Sequence, residues 1–233
     1  TTAARPAQIP FDDATVIDSD QLYHAAALPR TIVIIGGGVI AVEYASVFAT
    51  LGTRVHVVNR GAAVLPYVDR DVMEVLLAHL RGLGVTFHDG TTVEAVERDG
   101  RAPVAVLTSG ERVACDMIMA ASGRVGTAAD LDLAKAGLEA AAHGRLAVDA
   151  QLRTVVPHIF AAGDITGPPA TASNAKEQGR LAARVLLGLP AEPDASWRLP
   201  MGIYTIPEIS YIGRGEAGLG EAHVPFVRGV ARF

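Results

Sequence analysis

An α/β fold built on a parallel sheet is what this sequence predicts, and three observations predict it. A β-branched run, Thr31-Ile32-Val33-Ile34-Ile35, enters three consecutive glycines, Gly36-Gly37-Gly38. A helical pattern from Val39 to Leu51 follows, closed by Gly52, and Arg54 to Val58 reads as a second strand. That is one strand–helix–strand unit of about 30 residues, the size of a dinucleotide-binding start. Further on, three alternating segments are split by turn signals at Asp99-Gly100 and Ser109-Gly110, the mark of an antiparallel meander. The expected architecture is a Rossmann-like domain with a parallel sheet plus that meander.

The elements follow in order. Residues 1–28 carry proline and aspartate without a sustained period and read as an irregular segment ending at Leu28-Pro29. Thr31 to Ile35 is β-branched throughout, consistent with a buried parallel strand. Asp69 stands at an N-cap position before Val72, Val75, Leu76, Leu80 and Leu83, which recur at helical spacing up to Gly84. Val85 to Asp89 is a third strand, and Asp116 to Ser122 another after the meander. His143–Asp149 and His158–Asp164 read as further strands. Ala172 to Leu187 reads as a helix stopped by Gly188 and Pro190, residues 191–200 as a linker, and Gly202 opens a new strand-rich region.

Composition narrows the function. With 20 Lys and Arg against 25 Asp and Glu, the net charge is −5, and no basic run suggests nucleic acid. One cysteine excludes an internal disulfide framework, and Cys115 reads as a core residue. The seven histidines show no metal-ligand spacing. The longest apolar run, Ile32 to Val42, is about half a membrane span, and the first residues lack the basic start and apolar stretch of a signal peptide. A cytoplasmic location is expected, with no membrane partner. The chain starts without Met and stops inside an apparent strand, so a fragment is expected.

Gly36-Gly37-Gly38-Val39-Ile40-Ala41 fits G-x-G-x-x-G/A in the right context. The first glycine permits the tight turn, Gly38 lets the backbone approach a pyrophosphate, and Ala41 is small enough for helix–sheet packing. The helix N-terminus offers N–H donors and a partial positive charge. A ligand-free strand–helix turn is the plain alternative. Gly213 to Gly218 matches the same pattern, but only 15 residues follow it, too few for a strand–helix–strand unit. Where NAD sites place an acid for the ribose 2′-hydroxyl stands Asn59, followed by Arg60. An amide can bond a hydroxyl without repelling a phosphate, and a guanidinium can pair with a 2′-phosphate. The site is expected to admit NADP(H) and NAD(H).

Thr154 to Asp164 carries an apolar strand pattern into Gly163-Asp164. With Thr31 to Ser46 and Ser122-Gly123-Arg124, this resembles the pyridine nucleotide–disulfide oxidoreductase family, and Gly202 to Gly213 resembles the start of that family's interface domain. Arg5 to Leu22, Asn59-Arg60, Pro168 to Ser173 and Gly202 to Ser210 resemble members that pass hydride between NADPH and NAD⁺. The runner-up is the dihydrolipoamide-oxidising members, which normally carry an acid where Asn59 stands. The resemblance implies an FAD-dependent oxidoreductase, homodimeric when intact. It divides the chain into 1–28 (partial FAD domain), 29–147 (NAD(P) domain), 148–195 (FAD domain return) and 196–233 (start of the dimerisation domain).

It also implies roles. Glu43 would face the flavin–nicotinamide junction, and Val39 stands where some relatives place a tyrosine lid. Gly123 and Val93 would line the NAD(P) cleft, Val93 through its backbone. Asp164 would hold the ribityl chain of FAD. Ala170, Thr171, Ala172 and Ser173 would open a helix aimed at the flavin; a helix capped by Ser173 is the plain alternative. Ala3 replaces a family glycine near FAD. No second glycine loop of the FAD type, CxxxxC pair or flavin-side lysine is found in the sequence. The chain by itself is therefore expected to bind NAD(P) without FAD or catalysis, and a stand-alone binding module is the alternative of another class.

Overall fold

The computed structural model describes residues 1–190 and 200–231. In chain order the strands and helices are β1 (Thr2–Ala3), β2 (Val16–Asp18), β3 (Thr31–Ile35), α1 (Val39–Thr50), β4 (Arg54–Asn59), α2 (Arg70–Gly82) and β5 (Val85–Asp89). Then come β6 (Val93–Asp99), β7 (Ala102–Leu107), β8 (Arg112–Ala114), β9 (Met117–Ala120), β10 (Arg124–Val125), α3 (Ala172–Leu186), β11 (Pro200–Ile203), β12 (Ile209–Ile212) and α4 (Glu216–Glu221).

Five strands form one parallel sheet in the order β2-β9-β3-β4-β5, and β6-β7-β8 form the antiparallel meander. The sheet is the middle of three layers. On one face Ile32, Ile34, Val55 and Val57 pack against Ala41, Val42, Ala45 and Phe48 of α1 and Met73, Leu76 and Leu80 of α2. On the other, Val33, Val58 and Ile118 pack against Val93, Ala105, Leu107, Val113 and Cys115 of the meander. This double burial is why β3 is apolar from Ile32 to Ile35. The helix α1 ends in a left-handed Gly52 (φ +86°), whose amide bonds Ala49 O while Thr53 N bonds Phe48 O.

Three expectations are corrected. The segment before Leu28 is not irregular throughout: Val16–Asp18 is the edge strand of the parallel sheet, paired with Ile118–Ala120. It is launched by Asp12, whose Oδ1 accepts from the amides of Ala14, Thr15 and Val16 while Oδ2 takes Arg98 Nη2 at 2.5 Å. Burial pushes the Asp12 pKa up, but these amides, Thr15 and Arg98 outweigh it and hold the carboxyl well below the usual range. Neither 143–149 nor 158–164 is a strand. Only isolated bridges, Ala141 to Arg145 and Arg153 to Phe160, occur there, and the other backbone bonds are scattered, among them Leu146 N to Ile165 O and Gly126 N to His143 O. An alternating pattern becomes a strand only where a neighbour completes the ladder, and among the described residues none does. Asp69 occupies the N-cap position of α2, yet its Oδ1 accepts from Glu216 N at 2.8 Å instead of a helix amide. The 191–199 stretch read as a linker lies outside the described residues, and Pro200 already belongs to β11.

Candidate functional site

The strand order reverses beside β3: α1 carries the chain to β4 on one side, and β9 lies on the other. Ligands of open α/β sheets bind at such a switch point, outside the carboxyl ends of the strands. Here a cleft of about 1590 Å³ opens there, lined by Ile35 to Ile40, Asn59, Arg60, Thr91 to Val93 and Ala121 to Arg124. Its opposite wall is Asp164, Gly167 and the start of α3 from Ala170 to Ser173. The volume exceeds the roughly 300–1,000 Å³ of a single-ligand pocket.

The three loop glycines differ in what surrounds them. Gly36 has φ +136°, and a Cβ there would lie 2.4 Å from Ala121 O. A Cβ on Gly37 would lie 2.4 Å from Asn59 Oδ1. A Cβ on Gly38 would meet nothing within 4 Å. The first two glycines are thus required by the protein's own packing, whereas Gly38 faces the open cleft. Gly38 is also the N-cap of α1 and supplies no side-chain cap. The first-turn amides therefore lack an intrahelical acceptor, and they stand where Val39 and Ile40 line the cleft. This arrangement fits a pyrophosphate. Ala41 lies outside the cleft, fully buried against the sheet.

Asn59 is buried, and its amide is heavily used. Nδ2 donates to Gly61 O (3.1 Å) and Asp89 Oδ1 (2.9 Å), while Oδ1 accepts from Gly61 N (3.1 Å). Both amide hydrogens are therefore engaged, and Oδ1 keeps one lone pair without a partner among the described residues. Arg60 is exposed on the cleft rim and forms no ion pair or side-chain hydrogen bond among the described residues. The Val93 side chain is buried in the core, leaving its backbone at the cleft. Gly123 (φ +113°) offers its carbonyl to Ala4 N at 2.9 Å.

Glu43 lines the cleft from α1 and accepts from Tyr204 N through Oε1 at 2.7 Å. Ser46, one turn on, receives Ile206 N at 3.2 Å, so α1 holds the segment after β11 in place. On the opposite wall Asp164 Oδ2 accepts from Thr1 Oγ1 at 3.2 Å. The α3 cap is Thr171, not Ser173: the helix begins at Ala172, so Asn174 N bonds Thr171 Oγ1 at 3.2 Å. Ser173 instead shares a hydrogen bond with Thr171 (3.1 Å) and reaches Pro200 O.

Several cleft residues went unrecognised in the sequence. One is Arg124, the last residue of Ser122-Gly123-Arg124. It bonds Thr1 Oγ1, Thr1 O and Asp20, tying the first residues to the cleft floor. That pairing lowers the Asp20 pKa. Ala3 N is also committed to Asp20, at 3.0 Å. Lys176 and Arg180 line the cleft from α3. Their i, i+4 spacing was the signal that could have found them. No group of His, Cys, Asp or Glu suited to a metal occurs among the described residues. Cys115 is buried, which pushes its thiol up to about 12, and it packs as a core residue.

Comparison with known proteins places this geometry. The sequence pattern of the family described as "Pyridine nucleotide-disulphide oxidoreductase" matches residues 3–179. A protein of Mycobacterium bovis named "Soluble pyridine nucleotide transhydrogenase" is 43% identical over 233 residues, all of this chain and 50% of its own. One of the same name from Colwellia psychrerythraea is 40% identical, over 98% of this chain and 49% of its own. The chain spans about half the length of the curated relatives it matches. Among solved structures, LpdA from Mycobacterium tuberculosis superposes with a TM-score of 0.88 at 30% identity, over 95% of this chain and 48% of its own. The HOCl-induced flavoprotein disulfide reductase RclA from Escherichia coli superposes with a TM-score of 0.85 at 30% identity, over 95% and 52%. No helix among the described residues is long and apolar enough to cross a membrane.

Proposed function

This chain belongs to the pyridine nucleotide–disulfide oxidoreductase family, and from that premise we propose that it is the nucleotide-binding part of an FAD-dependent oxidoreductase that exchanges hydride between NADPH and NAD⁺. The observation that supports this most directly is the glycine loop: Gly38 opens onto the cleft while Gly36 and Gly37 are packed shut beneath it. The names of the relatives at 40–43% identity support the choice of transhydrogenation over dithiol oxidation.

In this reading the amides at the start of α1 hold the pyrophosphate, Asn59 Oδ1 accepts a ribose hydroxyl, and Arg60 meets a 2′-phosphate. Gly123 and the Val93 backbone flank the nucleotide. Val39 leaves the nicotinamide pocket without a tyrosine lid, and Glu43, fixed by Tyr204 N, sets the charge at its inner end. Asp164 and the capped start of α3, from Ala170 to Ser173, fit one end of FAD: a carboxylate for the ribityl hydroxyls and a helix N-terminus for the ring edge. Bound flavin supplies the hydride acceptor and donor between the two nicotinamides.

The division at 28/29, 147/148 and 195/196, the homodimer and a cytoplasmic location are part of the same proposal and rest on the resemblance alone. Because the chain spans half its relatives' length, catalysis is proposed for the chain joined to the rest of such an enzyme, and nucleotide binding for the chain by itself. The test is calorimetric titration of the 233-residue chain with NADPH and with NADH. Binding of both is expected; binding of neither refutes the reading.

A further inference from the structure

The cleft has Asn59 where an acidic residue would favour an unphosphorylated ribose, yet a carboxylate stands beside it, supplied by the next strand. In the parallel pairing of β4 with β5, Asn59 is in register with Asp89, and Asp89 Oδ1 accepts from Asn59 Nδ2 at 2.9 Å. The two strand ends are laced further by Gly90 N to Gly61 O (2.9 Å) and Thr91 N to Asn59 O (3.2 Å), which fixes this pair against the cleft wall.

We propose that Asp89 is a positioning residue that sets nucleotide preference through Asn59. It does two things. With Gly61 O it consumes both Asn59 amide hydrogens, so that Asn59 presents only an acceptor, Oδ1, to the ligand. An acceptor suits a ribose hydroxyl and gives a phosphate nothing to bond. Asp89 also places a negative charge about one amide group from that oxygen, well within a Debye length of a 2′-phosphate. Arg60, on the rim, pulls the other way. The opposition of Asp89 and Arg60 keeps discrimination between the two nucleotides low, which a hydride exchange between NADPH and NAD⁺ at one cleft requires. This inference rests on the nucleotide-binding reading above.

The test uses Asp89→Asn and Asp89→Ala in the 233-residue chain, with NADH and NADPH titrated calorimetrically at 50 mM and 500 mM salt. Asp89 is exposed, so both variants are expected to keep the parental melting curve. In Asp89→Asn, which keeps an acceptor for Asn59, the NADH Kd should stay within about twofold. The NADPH Kd should fall about threefold at low salt, consistent with a screened charge. Asp89→Ala should show the same gain for NADPH together with about threefold weaker NADH binding. Both gains should shrink at high salt. Loosened packing would weaken both nucleotides alike, so parallel losses, or an unchanged NADPH to NADH ratio in both variants, overturn the role of Asp89 while leaving the cleft assignment standing. Failure of the parental chain to bind either nucleotide overturns that assignment and this proposal with it.

Discussion

Gly36 and Gly38 are two residues apart in one loop, and the structure assigns them opposite sensitivities. At Gly36 an alanine would be held at φ +136° and its Cβ would lie 2.4 Å from Ala121 O and 2.9 Å from Ala121 C. Those are backbone atoms at the end of β9, anchored by Ala121 N to Ile35 O at 2.8 Å. The strained backbone costs about 1–3 kcal/mol, and displacing a packed main chain about as much again. A total of roughly 2–6 kcal/mol lowers the melting temperature of a chain this size by about 4–24 °C. At Gly38 the backbone is extended (φ −85°, ψ −175°) and the space is open. Losing an N-cap glycine costs a few tenths of a kcal/mol or somewhat more, and a less flexible unfolded chain returns about 0.4–1 kcal/mol. Net stability therefore changes by no more than about 0.5 kcal/mol. The side chain at 38 instead occupies the place assigned to the pyrophosphate, so Gly38→Val should weaken both nucleotides at least about tenfold, or 1.4 kcal/mol. Thermal melts followed by circular dichroism, paired with calorimetric titration, separate the two effects. Gly38→Val binding at parental affinity, or Gly36→Ala melting with the parent, would refute the division of labour.

Arg60→Ala should weaken NADPH by about 1.5–3 kcal/mol, the range for a charge-assisted bond, and leave NADH nearly unchanged; equal losses in the two titrations sink the 2′-phosphate assignment. Asp12→Ala removes the acceptor for three strand-launching amides and should destabilise the chain by roughly 1–2 kcal/mol, as loss of a helix N-cap does, measured by urea unfolding. Since the Asp12 pKa is depressed by folding, its contribution is complete above about pH 4 and lost as pH falls through the folded pKa; Asp12→Asn should flatten the acid limb of a stability–pH curve. Burial, and then His88, lower the pKa of His56, against the opposing pull of Glu111 and alongside the repulsion of Arg54. Folding therefore favours neutral His56, and stability is full above about pH 6.5 and declines below it. Urea midpoints of His56→Gln should fall less than the parent's between pH 7 and pH 5; identical slopes rule out His56 as the titrating group.

The parallel sheet was legible because its strands are buried on both faces, so β3 and β4 are written as near-continuous β-branched runs punctuated by glycine. The meander was legible through Asp99-Gly100 and Ser109-Gly110. Three residues, Val16-Ile17-Asp18, hold no period that can be read, and their strand exists because β9 offers a ladder and Asp12 offers its carboxylate. The converse holds for 143–149 and 158–164, where the pattern is present and the ladder is not. Pattern reports which residues can be buried in a strand; pairing decides whether the strand forms.

The same distinction runs through the cleft. Gly36 to Ala41 is a local motif, so its turn and helix start were readable from spacing alone. Asn59 and Arg60 were readable as residue types at a known distance from that motif. The bonds that decide what those side chains can offer a ligand were not readable. Asn59 is engaged by Asp89, 30 residues on, only because β4 and β5 pair in that register. Glu43 is engaged by the Tyr204 amide, 161 residues on, only because the segment after β11 lies along α1. A polar residue's identity fixes how many donors and acceptors it has; the fold fixes which of them remain for a ligand. At Asn59 the fold commits both amide hydrogens and leaves a single acceptor, the group on which the proposed ribose contact rests.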